Sequence, residues 1–485
     1  MEPLVGGSIL ALIKVFSVLF FTIALLRASQ STISFLPGPW ASKWTGLILQ
    51  YHSMKGNKAK YIHDLHRKYG RVVRVSPDEA DISDPEAARK IHRVGSGFLK
   101  SAWYQALTIE GENVFNIRDP KCYNTRRRLL STPLSNSSLQ SVEPIVNSRA
   151  RLAIQKMRDE MKSRGAADVY KWWTFMTADL TGELTFGESF RMLEKGETNQ
   201  YIKDLQTLNS MQGFRSIFSP ITPLLDLIPG AFCQKISQAG SRLLLCGEQL
   251  IQRYREQMAL GNHRPTLFSK LFDAGLDGLS DAAIKDEAVN FIIAGSDTTA
   301  SALTYLVWAV CRDDKVRESL LRDLAPLPED FSDRGLRQLP YLDHVINETL
   351  RLYAPVPTGL PRTVPNGGAN LAGHWIPAGV TVTTQAYSLH RDPSVFRKPE
   401  RFDPSRWATP TAEMKDAFMA FGGMSRICLG QHLARMELRL ATAYFFRTFP
   451  NARISALEGM GDLDMDPVIQ FLMSPRGKRC LVQDS

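Results

Sequence analysis

The alternation of apolar and polar positions divides the chain into an apolar leader, a proline-bound connector and a long, mostly helical body. Residues 5–26, VGGSILALIKVFSVLFFTIALL, are nearly unbroken apolar sequence, and about 20 such residues cross a bilayer. Lys14 interrupts the run, at about 3 kcal/mol if centred, unless it snorkels or faces another helix. A cleaved signal peptide is the rival reading, but the stretch is long for one and no cationic segment precedes it. An uncleaved anchor is expected over residues 1–27. Arg27, Lys43, Lys55, Lys58 and Lys60 all follow the run, which places the bulk of the chain on the cytosolic side. Leu36-Pro37-Gly38-Pro39-Trp40 then stops any helix and makes a stiff connector, so residues 28–46 read as a hinge and 47–485 as the body.

Within the body, residues 69–75 alternate like a strand and Ser76-Pro77-Asp78 turns it. Residues 85–91 read as a helix, and from 148 to about 276 the pattern is a series of helices. Residues 217–225, IFSPITPLL, break that series; they suit either core or a hydrophobic tip that dips into a bilayer, the second favoured by the anchor. The longest helical pattern covers residues 281–310. Its centre, Ala294-Gly295-Ser296-Asp297-Thr298-Thr299, is poor helix-forming sequence, which points either to a site or to a close helix crossing. The Thr298 hydroxyl can bond back to the Ala294 carbonyl and bend the helix there. Residues 342–353 form another helix, with Glu348 and Arg351 on one face. A last helix follows residue 430, with Leu433, Met436, Leu440 and Tyr444 among its apolar positions.

Composition narrows the class. The chain has 485 residues, 44% of them hydrophobic, enough for an ample core and nothing like a disordered protein. Cys122, Cys233, Cys246, Cys311, Cys428 and Cys480 are scattered, with no pairing framework or zinc spacing, as expected in a reducing compartment. The net charge of +10 suggests an anionic partner, a lipid surface or an acidic protein; a generally solvated basic surface is the plain alternative. No nucleic-acid recognition motif or concentrated basic arm is present.

Candidate chemistry concentrates at Phe421-Gly422-Gly423-Met424-Ser425-Arg426-Ile427-Cys428-Leu429-Gly430. A cysteine just before a helix start lies in the helix dipole, which favours a thiolate, and a thiolate can be nucleophile, redox sensor or metal ligand. The cysteine alone leaves these open. Asp297 beside Thr298 offers proton-handling groups, and Glu348 with Arg351 can join a second arginine in a buried network. Residues 119–135 are arginine-rich; Arg126, Arg127 and Arg128 point in different directions on a helix, so at least one turns inward.

Taken together these motifs resemble the cytochrome P-450 superfamily of haem-thiolate monooxygenases, in its membrane-anchored eukaryotic form, over essentially the whole chain. Phe421, Arg426, Cys428 and Gly430 match the family's haem-binding signature, Glu348-Thr349-Leu350-Arg351 its Glu-x-x-Arg helix, residues 294–299 its oxygen-activation motif, and Leu36 to Trp40 its hinge. Ser83-Asp84-Pro85-Glu86-Ala87, Gly359-Leu360-Pro361-Arg362 and His390-Arg391-Asp392-Pro393 look like filamentous-fungal members of natural-product pathways. The resemblance implies haem b with Cys428 as the axial thiolate to iron. It implies that Arg127, Arg362 and Arg426 hold the haem propionates, that Phe421 packs against the thiolate loop with Gly430 closing it, and that Asp297 and Thr298 deliver protons. Glu348, Arg351 and Arg406 would form the supporting network. Arg406 is chosen over Arg401 because Pro404-Ser405-Arg406-Trp407 sits where the family has Pro-Glu-Arg-Trp.

Two departures stand out: Tyr123 replaces the usual Trp or His four residues before Arg127, and Met424 replaces a glycine. A side chain forced left-handed at Met424 would cost about 1–2 kcal/mol, weakening haem retention unless Gly422 and Gly423 absorb the turn.

The expected architecture is therefore mainly α with a small β region, the cytochrome P-450 fold, preceded by a single transmembrane helix in the endoplasmic reticulum. The implied partners are an NADPH-cytochrome reductase docking on the cysteine side, with cytochrome b5 as a second donor, membrane lipid and a small lipophilic substrate. Pocket residues are expected within 103–107, 291–294, 356–360 and 469–473. Rivals that keep the haem are desaturation, ring coupling and rearrangement; a non-catalytic haem carrier and a cysteine-nucleophile hydrolase are more distant.

Overall fold

The computed structural model describes residues 18, 22–23, 25–107, 111–210, 231–260, 266–267, 269 and 279–484. The expected anchor, residues 1–27, lies almost wholly outside the described residues, and the proline-broken segment 217–225 entirely so. Among the described residues no helix is long and apolar enough to cross a membrane.

The architecture is mainly helical with four small sheets among the described residues. The helices that matter for the site are α1 (Pro85–His92), α2 (Pro120–Ser131), α3 (Glu143–Arg164), α4 (Val169–Phe186), α5 (Asp281–Cys311), α6 (Pro340–Leu352) and α7 (Gln431–Thr448). Local sequence fixes their starts. Asp84 and Asp119 accept hydrogen bonds from the backbone N–H three residues on, each followed by proline at the first helical position, and Ser280 caps α5 the same way. α3 and α4 end on Gly165 and Gly187 in left-handed geometry.

The largest sheet has five strands: β1 (Val72–Ser76), β2 (Glu79–Ile82), β3 (Leu99–Lys100), β4 (Arg362–Thr363) and β5 (Thr381–Thr383). Their order is β1-β2-β5-β4-β3, with β2 and β5 parallel and Glu79 opposite Thr381. In this register Lys100 on β3 lies directly opposite Arg362 on β4. The helices expected at 85–91, 281–310 and 342–353 all form within a residue or two of the expected bounds, and the strand expected at 69–75 forms over Val72–Ser76, because Tyr69 still belongs to the preceding helix.

The core is built on α5. α4 packs along it and α7 crosses it, and Leu303, Leu306, Val307 and Val310 of α5 are fully buried. The poor helix formers at its centre have two local uses. Thr298 Oγ1 donates to Ala294 O at 2.7 Å, the expected back-bond. Gly295 lets α4 approach closely: a Cβ there would lie 2.7 Å from Thr181 Oγ1. Alanine should favour the helix at residue 295 by about 1 kcal/mol, but overpacking a buried contact costs about 1–3 kcal/mol. Gly295→Ala is therefore expected to lower the thermal midpoint, and the pair Gly295→Ala/Thr181→Ala to restore it. An unchanged midpoint in the single variant would remove the crossing argument.

Candidate active site

α5, α7, the cysteine loop and the β3–β4 edge of the large sheet enclose one interior cavity of about 390 Å³. Its wall is chiefly apolar, and chemistry enters at a few positions. Cys428 lies on this wall at the end of the loop that precedes α7. Its N–H donates to Phe421 O at 2.9 Å, closing the loop on the phenylalanine, and Phe421 lines the same cavity. The sulfur is deep in the protein but open to the cavity. Burial pushes its thiol up, while the Gly430 N–H donating to it and the nearby Arg127 pull it down.

Met424 corrects the expectation of left-handed strain. It is the first residue of a short 3₁₀ turn (Met424–Arg426), has no positive φ and is exposed, whereas Gly422 carries the left-handed turn at φ 81°. Gly423 lies tight against His92 of α1, where a Cβ would come 2.3 Å from the ring, so the second glycine is needed for space.

Three guanidiniums line the cavity from different parts of the chain. Arg127 of α2 donates to Tyr123 Oη and to Ile427 O, both at 2.8 Å; Arg362 of β4 donates to Tyr104 Oη at 2.8 Å; Arg426 donates to Ile117 O at 3.2 Å and stacks on the Tyr123 ring at 3.4 Å. None of the three has a carboxylate partner among the described residues, and Tyr123, at the departure from the family pattern, is neighbour to two of them. Lys100, which no motif singles out, adds a fourth basic side chain to the wall. Its ammonium donates to Phe115 O and sits 4.7 Å from the Tyr104 ring centroid. Burial and the neighbouring Arg362 and Arg426 hold its pKa well below the usual lysine range. The other two arginines of the basic run turn elsewhere: Arg126 pairs with Glu287 at 3.0 Å and Arg128 is exposed.

The α5 residues divide. Thr298 lines the cavity, but Asp297, next to it, does not. The Asp297 carboxylate acts on Tyr170 and Tyr201, whose phenols it helps to raise, and supports the ammonium of Lys478 against burial. The α7 residue Glu437 was also missed by sequence reasoning. It lines the cavity, Thr299 donates to it, one of its oxygens has no partner, and burial raises its pKa to about 8. Of the expected pocket segments, Tyr104, Phe291, Ile293, Ala294, Val356 and Phe471 are among those that reach the wall.

Behind the cysteine loop lies a buried ion network. Arg351 meets Glu348 with two bonds, 2.8 and 2.9 Å, and donates to the carbonyls of His390 and Pro399 at 2.7 Å. Glu348 also accepts from Arg406 Nε and from Trp407 Nε1, each at 3.0 Å, and from the Asp403 N–H at 2.8 Å. Arg401 contributes only its carbonyl. His390 ties this network to the loop: its Nδ1 donates to Arg351 O and its Nε2 accepts from the Met419 N–H, both at 2.8 Å. Burial drops its pKa to about 3, so the ring is neutral and this tautomer is fixed.

The family model for cytochrome P-450 matches residues 36–479. The chain belongs to the cytochrome P-450 family. Among curated relatives, the cytochrome P-450 monooxygenase tazI of Aspergillus terreus is 46% identical, over 94% of this chain and 94% of its own length. The monooxygenase orf2 of Aspergillus niger is 44% identical over 96% of each chain, and stcB of Emericella nidulans 36% identical over 95% of this chain and 90% of its own. Membership brings haem held by a cysteine thiolate, monooxygenase chemistry, a redox partner that supplies electrons and a small-molecule substrate. This P-450 is an enzyme.

The Glu437 carboxyl supplies a pH test. Unfolded, it ionises near the ordinary 4.5; folded, it keeps its proton to about 8. Folding therefore takes up a proton between these values, and the stability due to the neutral carboxyl is lost as pH rises from about 4.5 through about 8. Glu437→Gln should flatten this part of the stability profile, measured by chemical unfolding across that window; an unaltered slope would contradict the assignment.

Proposed function

We propose that this P-450 inserts one oxygen atom from O2 into a lipophilic small molecule, by hydroxylation or epoxidation, with Cys428 as the iron ligand. The observation that carries the reading is the meeting, on one cavity, of Cys428 with Arg127, Arg362 and Arg426, guanidiniums that lack carboxylate partners among the described residues. An unpaired buried charge is costly, and Lys100 directly opposite Arg362 adds like-charge repulsion. The two propionates of haem b answer this charge; the donor set fits the group. When bound, the haem supplies the iron at which O2 is reduced and activated. Phe421 and Gly430 shape the thiolate loop, Gly430 by its N–H to the sulfur. The network of Glu348, Arg351 and Arg406 holds the loop's support rigid from behind.

Thr298 and Asp297 share the handling of protons in this reading. Thr298 Oγ1 has given its hydrogen to Ala294 O and offers lone pairs to a water in the cavity. Asp297, on the adjoining side of α5 near Lys478, does not line the cavity, so its part in this reading is indirect and would need a relay to reach that water.

The apolar run at residues 5–26 supports a membrane anchor at 1–27, a hinge at 28–46 and a catalytic domain at 47–485, facing the cytosol from the endoplasmic reticulum. Phe35, Trp40, Leu47, Ile48, Tyr51 and Met54 are all exposed just beyond the run, as a membrane-facing patch would be. An NADPH-cytochrome reductase, with cytochrome b5 as a second donor, docks on the basic cysteine side. The relatives named above come from filamentous fungi, and the role assigned is a step in secondary metabolism.

The reduced carbon-monoxide spectrum tests the central claim. Wild-type holoenzyme should give the strongly red-shifted Soret band of a thiolate ligand, and Cys428→Ala should not; Arg362→Leu should keep the band but release haem at least about ten-fold more readily to a competing apoprotein. A red-shifted band in Cys428→Ala would sink the assignment. For the anchor, the full chain should stay in alkali-washed membranes and a chain lacking residues 1–27 should be substantially released, and equal retention of both would count against it.

A further inference from the structure

α5 presents one continuous face to the cavity. Asp286, Asn290, Ala294 and Thr298, each four residues from the next, all line it. Thr298 has committed its proton to Ala294 O. Asp286 closes the other end against Gly111, so closely that a Cβ there would lie 1.8 Å from its carboxylate. Between them Asn290 is half-buried, and its amide makes no hydrogen bond among the described residues.

The facing helix shows a matching irregularity. On α4, Thr174, Thr177 and Thr181 each donate to the carbonyl four residues before them, at 2.8, 2.9 and 2.7 Å. Thr185, the next threonine on the Thr177–Thr181 face, breaks the habit. Its hydroxyl is buried and has no partner among the described residues, although the side chain lines the same cavity. The neighbouring wall is apolar, with Leu184, Leu208, Leu244 and Val289. The buried Thr185 hydroxyl, left without a partner among the described residues in such surroundings, forfeits about 1–3 kcal/mol, which a ligand group able both to donate and to accept would recover while also meeting the half-buried Asn290 amide.

We propose that Asn290 and Thr185 form a polar subsite that binds an uncharged hydroxyl at the far end of an elongated, otherwise lipophilic substrate. Eight residues of helix separate Asn290 from Thr298, so that hydroxyl lies about 12 Å from the carbon presented for oxidation. Asp286, one turn further on, disfavours a carboxylate in the same place. The assignment rests on the reading of Cys428 as iron ligand, because that reading defines the reacting end of the cavity.

Alkyl imidazoles test it, since the imidazole nitrogen ligates the iron and the alkyl chain extends into the cavity. The probes are undecyl imidazole and decyl imidazole with a terminal hydroxyl, titrated into holoenzyme and read by the Soret shift, with octyl and dodecyl pairs to vary the reach. The hydroxyl should tighten binding by about five-fold or more at the matching length. Asn290→Leu should abolish that preference, Thr185→Val should reduce it, and both should leave the methyl-ended probe unchanged. Thr185→Val, which keeps the side chain's shape, carries the test alone if Asn290→Leu loses its carbon-monoxide spectrum. Equal binding of the two probes in wild type, or a preference that survives both substitutions, overturns the subsite. Plain imidazole giving no Soret shift would instead overturn the iron reading, and the subsite with it.

Discussion

The structure depends on a concentration of basic side chains that no carboxylate among the described residues pairs with. Lys100, Arg127, Arg362 and Arg426 arrive at one cavity from a strand edge, a helix, the facing strand and the cysteine loop. Their hydrogen bonds go to carbonyls and phenols, which orient the cations without cancelling their charge. Tyr123 and Tyr104 are central to this: each phenol accepts from one guanidinium while its ring lies against a second cation. A family position usually held by Trp or His thus serves here as a hinge between two arginines.

The Glu348 network shows the opposite solution to burying charge. There a carboxylate is saturated by two arginines, an indole and a backbone N–H, and the carbonyls around Arg351 complete the set. Such a cluster adds little to stability compared with an apolar core, but it is stiff, because removing any member strands a buried charge. His390 transmits that stiffness to the residues entering the cysteine loop. One cluster is closed on its own carboxylate; in the other, carbonyls and phenols meet the cations.

Much of this was legible in the sequence, for identifiable reasons. Helices with strong amphipathic patterns and proline-led starts could be bounded from local chemistry, as at Asp84-Pro85 and Asp119-Pro120. Motifs whose members lie close in sequence, Glu348 with Arg351 and Ala294 with Thr298, carried their geometry with them. What could not be read depends on distant pairing. Lys100 looks like an ordinary strand lysine until β3 is set beside β4, and Glu437 like a surface helix residue until α7 meets α5. Asp297 and Thr298 are neighbours in sequence but about 100° apart on the helix, so only one reaches the cavity. At Met424 the sequence left two places for the left-handed turn, and it falls on Gly422, two residues earlier.

The pairing of β2 with β5 sets Glu79 beside Thr381, and the cavity's charged wall runs from Lys100 to Cys428. Neither can exist until most of the chain has been made, because loops of this length must close before the contacts reward them. Cofactor capture is therefore a late event in the life of a nascent chain, after the leading segment has long left the ribosome. Until then the basic groups are solvated and far apart; their mutual repulsion arises only as the walls come together, in the last stage of folding.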